Sequence, residues 1–274
     1  MSDITFKSIA VAVPRDVKAG KLRTDEYGYT RMVVGTLGAF NSKGELYEAT
    51  KEVCDLFSNS SLLQLQVREN ALYGENGHPD LTGLNERQAM ARFCAIHEPN
   101  ICTHLRSVHL DPEYYRSSPN MKRGEIAIIA DLKPYGNKAE LVTEAMANPF
   151  MNLSYSIRCI TQPKQVNGIV HRIIKSIITW DKVYFPGLSA ANKRNALWKS
   201  TEAAVLFEIE NSGITSNINA LADMIQDMQT NPTMYSTESV SMAKGVFNEV
   251  QQHLEATGES YDRCDSIISM FRSM

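Results

Sequence analysis

The sequence predicts an α+β class, with a β-rich core over residues 1–192, helices packed around it, and a helical C-terminal extension over 193–274. Apolar, β-branched runs recur at 4–13, 31–40, 62–67, 101–110, 124–134, 151–160 and 171–185. Helical patterns fall between them without the regular alternation that builds a parallel sheet. From about residue 196 the composition turns to Ala, Glu, Gln, Met and Ser at amphipathic helical spacing, broken at Asn231-Pro232.

The elements follow in order. ITFKSIAVAV at 4–13 reads as a strand closed by Pro14, and RMVVGTLGAF at 31–40 as a second strand with glycines where a bulge or close approach fits. The turn NSKG leads into ELYEATKEVCDLFSNS, whose Leu46, Thr50, Val53, Cys54 and Phe57 fall near helical spacing. LLQLQV at 62–67 alternates like a strand. A helix is expected from Asn85, stopped at or before Pro99. ICTHLRSVHL and GEIAIIADLKP read as strands joined by the long loop 111–123, a flap or substrate edge. NKAELVTEAMA reads as a helix capped by Asn137 with Glu140 at its third position. MNLSYSIRCI at 151–160 and HRIIKSIITWDKVYF at 171–185 read as two further strands.

Composition narrows the function. The 274 residues are 43% hydrophobic and 22% charged, with formal net charge -3 and a pI near 6.1. That balance offers no bulk electrostatic footprint for nucleic acid. The N-terminus lacks the features of a signal peptide, and no apolar run approaches membrane-spanning length. A cytoplasmic origin is therefore expected. Five cysteines, Cys54, Cys94, Cys102, Cys159 and Cys264, stand far apart without a CxxC pair, which indicates neither a disulfide framework nor a thiolate zinc site. His104 and His109 are an odd number of residues apart and so face opposite sides of a regular strand, which argues against a metal site with His97. No phosphate-cradling glycine motif and no GxSxG elbow appear. No cofactor is expected.

The chemistry concentrates in three places. YGENGHPDLTG, from Tyr73 to Gly83, sets His78 in a glycine-rich turn stiffened by Pro79, a device able to aim a general base. On the 151–160 strand, Leu153, Tyr155 and Ile157 share one face, and Ser154, Ser156 and Arg158 share the other. Asp181 interrupts an apolar run, where an unpaired buried carboxylate is costly. Histidine, a serine at 154 or 156, and an aspartate supply the base, nucleophile and orienting acid of acyl transfer.

These segments resemble the prohead, or capsid-maturation, serine proteases of large tailed phages, whose fold is similar to herpesvirus assemblin. RMVVGTLGAFNSKGELY looks like the opening strand and Asn-containing turn of that family, and GENGHP like its Gly-Glu-x-x-His-Pro signature. SYSIR resembles its Ser-x-Arg nucleophile strand, and WDKVYFPGLSAAN its Asp-x-Val ending. The resemblance covers about 30–192. It implies a barrel-like core and a serine endopeptidase in which His78 is the base, Ser156 the nucleophile and Asp181 the orienting acid. Ser156 keeps the two-residue spacing to Arg158, and Ser154 is the alternate. Arg158 and the amides around it are the expected oxyanion or substrate contact.

The implied substrates are phage head precursor and scaffold proteins cut after glutamate inside the prohead, with self-association and neither nucleic acid nor membrane as a partner. Ser200-Thr201-Glu202 and Ser236-Thr237-Glu238 fit the implied cleavage pattern, so self-trimming after Glu238 or Glu202 is expected. The competing reading is a noncatalytic scaffold or capsid-assembly protein that retains the protease fold.

Overall fold

Two sheets carry the fold. The computed structural model describes residues 3–7, 21–118, 121–184, 186–188, 190, 191, 193, 214–230 and 237–256. In chain order the strands are β1 (Asp3–Lys7), β2 (Thr30–Leu37), β3 (Ala39–Phe40), β4 (Leu46–Tyr47) and β5 (Tyr73–Glu75). They continue as β6 (Ile101–Asp111), β7 (Ile126–Pro134), β8 (Ser154–Val166), β9 (Ile169–Val183) and β10 (Ile214–Asn217). One sheet is ordered β10-β1-β8-β9-β4-β3 and the other β2-β7-β6-β5. The mixed α+β class stands. The sheets do not close into the expected barrel: β5 is three residues long, and the chain then meets β9 through the isolated parallel bridge Asn76–Lys182 rather than a ladder.

Six α-helices lie among the described residues: α1 (Lys51–Asp55), α2 (Leu62–Arg68), α3 (Glu86–Cys94), α4 (Ala139–Ala147), α5 (Ile218–Thr230) and α6 (Thr237–Ala256). Helix α3 starts where expected, because Asn85 and Gln88 form a reciprocal capping box. The stretch 62–67 is helical rather than extended. Ser61 accepts a bond from the Gln64 N–H, and Leu63 and Gln66 are buried three residues apart, a spacing that suits a helix face. The helix expected over ELYEATKEVCDLFSNS divides into β4 and the short α1, which Thr50 caps by accepting from the Val53 N–H. Helix α4 begins at Ala139, with Lys138 at its cap and no side-chain bond there, so Asn137 is not the cap. Of the first expected strand, 3–7 is extended, and 8–13 lies outside the described residues.

The main core fills the space between the sheets. Val34 and Leu37 of β2, Leu105 of β6, Leu132 of β7, Tyr155 of β8 and Trp180 of β9 meet there and are fully buried. Each such side chain contributes roughly 1.5–3 kcal/mol. A second core covers the other face of the larger sheet, where Met90 and Phe93 of α3 and Ile178 of β9 pack with Leu221 and Ile225 of α5 and Phe247 of α6. The central strands β8 and β9 are thus buried on both faces, and a polar group on either must find partners inside the protein.

Candidate active site

Backbone bonds bring the histidine turn onto β9. Gly74 crosses β9 so closely that a Cβ there would lie 2.2 Å from the Trp180 carbonyl oxygen. Past it, the Gly77 N–H donates to the Lys182 carbonyl at 2.7 Å, with Gly77 at φ +79°, a left-handed conformation that favours glycine. The Asn76 N–H donates to the Asn100 carbonyl, and the Asn100 amide returns a bond to the Asn76 carbonyl. His78 therefore stands on a turn tied to the strand that bears Asp181. The His78 Nδ1 lies 3.0 Å from Asp181 Oδ2, and the histidine side chain is 6% exposed.

An ionised carboxylate only accepts, so that bond requires a proton on Nδ1, and in the neutral ring the lone pair is then on Nε2. Nε2 is buried and has no hydrogen-bond partner among the described residues. No bond joins His78 Nε2 to Ser156 in this structure. In the antiparallel β8–β9 ladder Ser156 is directly opposite Asp181, which puts both side chains on one face of the sheet.

The two serines differ in their surroundings. Ser154 is fully buried and accepts a 2.6 Å bond from the Asn152 amide. Ser156 is buried but lines a cleft with Asn41, Tyr47, Leu188 and Ala191. The chain after β9 returns beside it: the Tyr155 N–H donates to the Ala191 carbonyl, and the Lys193 N–H to the Leu153 carbonyl.

Arg158, the expected oxyanion or substrate contact, points into the interior rather than to the surface. Its guanidinium is fully buried, with Nε donating to Asp181 Oδ2 at 2.8 Å and Nη2 to Asp181 Oδ1 at 2.6 Å and Glu75 Oε1 at 3.0 Å. Nη1 donates to the carbonyls of Phe93 and Ala95 at the end of α3. These bonds engage each of its three nitrogens with fixed acceptors and leave its head no opening to a ligand. Glu75, Arg92 and Asn100 carry no role in the sequence reading, yet they complete this cluster. Glu75 accepts from both terminal nitrogens of Arg92, from the His97 N–H and from the Asn100 amide. The signal was an acid two residues after a tyrosine strand start, inside the GENGHP stretch itself.

The charges settle accordingly. Burial pushes the Asp181 carboxyl up, but the Arg158 charge and the bonds from His78 and Arg158 outweigh it and hold the group at about 2. Glu75 is likewise held below the usual range, because Arg92 and Arg158 outweigh its burial. The buried thiols lie at the other extreme: burial pushes Cys94 and Cys159 up to about 12 and Cys102 to about 11, which leaves them unactivated. His104 has both ring nitrogens engaged, by the Tyr29 hydroxyl and the Asn70 carbonyl. Glu238 opens α6 in the first turn, and Glu202 lies outside the described residues.

The family profile described as the Peptidase S80 family matches residues 9–252. A capsid maturation protease of Pseudomonas phage phiKZ is 30% identical over 184 residues, which is 65% of this chain and 66% of that protein, just short of two thirds of its length. No solved structure matches the chain. With a family match over most of its length, and motifs that resemble those of phage prohead proteases, the chain belongs to the Peptidase S80 family.

Proposed function

We propose that this protein is a serine endopeptidase of capsid maturation in which Ser156 attacks the peptide carbonyl. His78 takes the serine proton at Nε2 and later gives it to the leaving amine. Asp181 holds the ring through Nδ1 and stabilises the imidazolium. The observation that carries this reading is the double position of Asp181, bonded to His78 while directly opposite Ser156 in the ladder. Ser156 is favoured over Ser154 by its place on the cleft and by that register. Backbone amides around Arg158 are the proposed oxyanion donors.

The substrates are phage head precursor and scaffold proteins, cut after glutamate within the prohead. The phiKZ relative's description as a capsid maturation protease supports that class. Self-trimming follows Glu238 or Glu202, and cutting after Glu238 requires the first turn of α6 to unwind. The test is coexpression with head precursor proteins, with the cut ends read by mass spectrometry. Ser156→Ala, His78→Ala and Asp181→Asn should each lose cleavage, the first two by about a thousandfold or more, while Ser154→Ala keeps it. Full cleavage by both Ser156→Ala and His78→Ala would leave a noncatalytic assembly role.

A further inference from the structure

Two buried carboxylates, Asp181 and Glu75, face one guanidinium in the interior of this protein, and neither Glu75 nor Arg158 touches the cleft. We propose that Arg158 and Glu75 are positioning residues that set both the orientation and the charge of Asp181, so that the working unit runs from Glu75 through Arg158 and Asp181 to His78 and Ser156. This rests on the serine-protease reading above.

Geometry comes first. Nε and Nη2 of Arg158 grip both oxygens of Asp181 at 2.8 and 2.6 Å, the parallel fork that fixes a carboxylate in its plane. With the Glu75 N–H also donating to Oδ1 at 3.1 Å, Oδ2 is left turned toward His78. The guanidinium is in turn anchored by the Phe93 and Ala95 carbonyls, where the end of α3 favours a cation. A lysine would supply the charge without this fork.

Charge comes second. Arg158 and Arg92 balance Asp181 and Glu75 in a region where all but Arg92 are fully buried. Among the described residues, the other ionisable groups near Asp181, Arg158 and the turn include Cys102 of β6 and Cys94 of α3, both neutral thiols, Asp80 of the turn, an exposed carboxylate that accepts from the Thr82 N–H, and Lys182 of β9, whose Nζ donates to the Asn76 side chain. Removing the Arg158 charge leaves two carboxylates to repel each other, and one takes up a proton more readily. It also makes an imidazolium at His78 easier to form. Both effects raise the pH below which activity is lost. Removing the Glu75 charge leaves an excess of positive charge near His78 and has the opposite sign.

The experiment follows a fluorophosphonate label by intact mass from pH 5 to 9. The serine oxygen bonds to phosphorus, the phosphorus–fluorine bond breaks, fluoride leaves, and the serine proton passes to His78. Relative to the wild type, Arg158→Gln should move the acid limb of the labelling rate upward by about one pH unit and slow its plateau about tenfold or more. Glu75→Gln should move the limb downward. Arg158→Lys should keep the limb near its wild-type position with a slowed plateau.

Limbs unchanged in folded Arg158→Gln and Glu75→Gln would overturn the proposal, because a purely structural role scales the folded fraction without moving the pH dependence. Should Arg158→Gln fail to fold, the near-isosteric Glu75→Gln decides alone. Undiminished labelling of Ser156→Ala, or no label on the wild type at any pH, would instead defeat the serine reading itself. Loss of label in Ser156→Ala with unmoved limbs in the charge variants defeats the positioning role alone.

Discussion

At the scale of a residue, Asp181 concentrates the physics of this protein. It is fully buried and accepts from the Glu75 N–H, from His78 Nδ1 and from two nitrogens of Arg158. Its folded value of about 2 lies below the ordinary 3.8, so ionisation favours the fold above about pH 4. That contribution, on the order of 2 kcal/mol, is lost as pH falls toward 2. Urea unfolding across this range should show the loss in the wild type and not in Asp181→Asn; parallel curves would mean that the carboxylate is not held ionised in the fold. An acid inside IITWDKV is visible in the sequence as an anomaly, and His78 as an aimed ring. The saturation of Arg158 was not legible, because its acceptors come from three separate segments, and periodicity says nothing about which segments meet.

Elements position these side chains through close approaches. The crossing of β5 over β9 at Gly74 leaves no room for a methyl group against the Trp180 carbonyl. Gly74→Ala should destabilise the protein by about 3 kcal/mol or more, since backbone meets backbone and neither side can yield by a rotamer change. The variant should also lose labelling of Ser156 at temperatures where circular dichroism still reports a folded chain. A stability change under 1 kcal/mol would show that the crossing is looser than described. The long strands and α3 were legible because their alternation or caps are unambiguous. LLQLQV was not: its apolar residues satisfy a strand pattern and a helix face alike, and the Ser61 cap with burial beneath α6 decides for the helix.

For the whole molecule, the segment after residue 193 bears on the protease core through both sheet and helix. β10 pairs with β1, and α5 and α6 build the second core with α3 and β9. Glu249 of α6 is a buried polar bolt in that contact: the Ser176 hydroxyl and the Leu62 N–H both donate to it. Burial raises its carboxyl above the ordinary range, the bonds from Ser176, Leu62 and Ile177 only partly offsetting it. Glu249→Ala should cost about 1–3 kcal/mol through the donors it orphans, read as a lower thermal midpoint, and an unchanged midpoint would mean that α6 docks by its apolar face alone. The amphipathic faces of the tail were readable from spacing, but their partner surface was not, because burial of β8 and β9 on both sides emerges only when the sheet is assembled. The central claim is tested most directly by locating the fluorophosphonate adduct through peptide mapping. The account predicts one adduct, on Ser156, and none in His78→Ala; an adduct on Ser154, or equal labelling without the histidine, would contradict it.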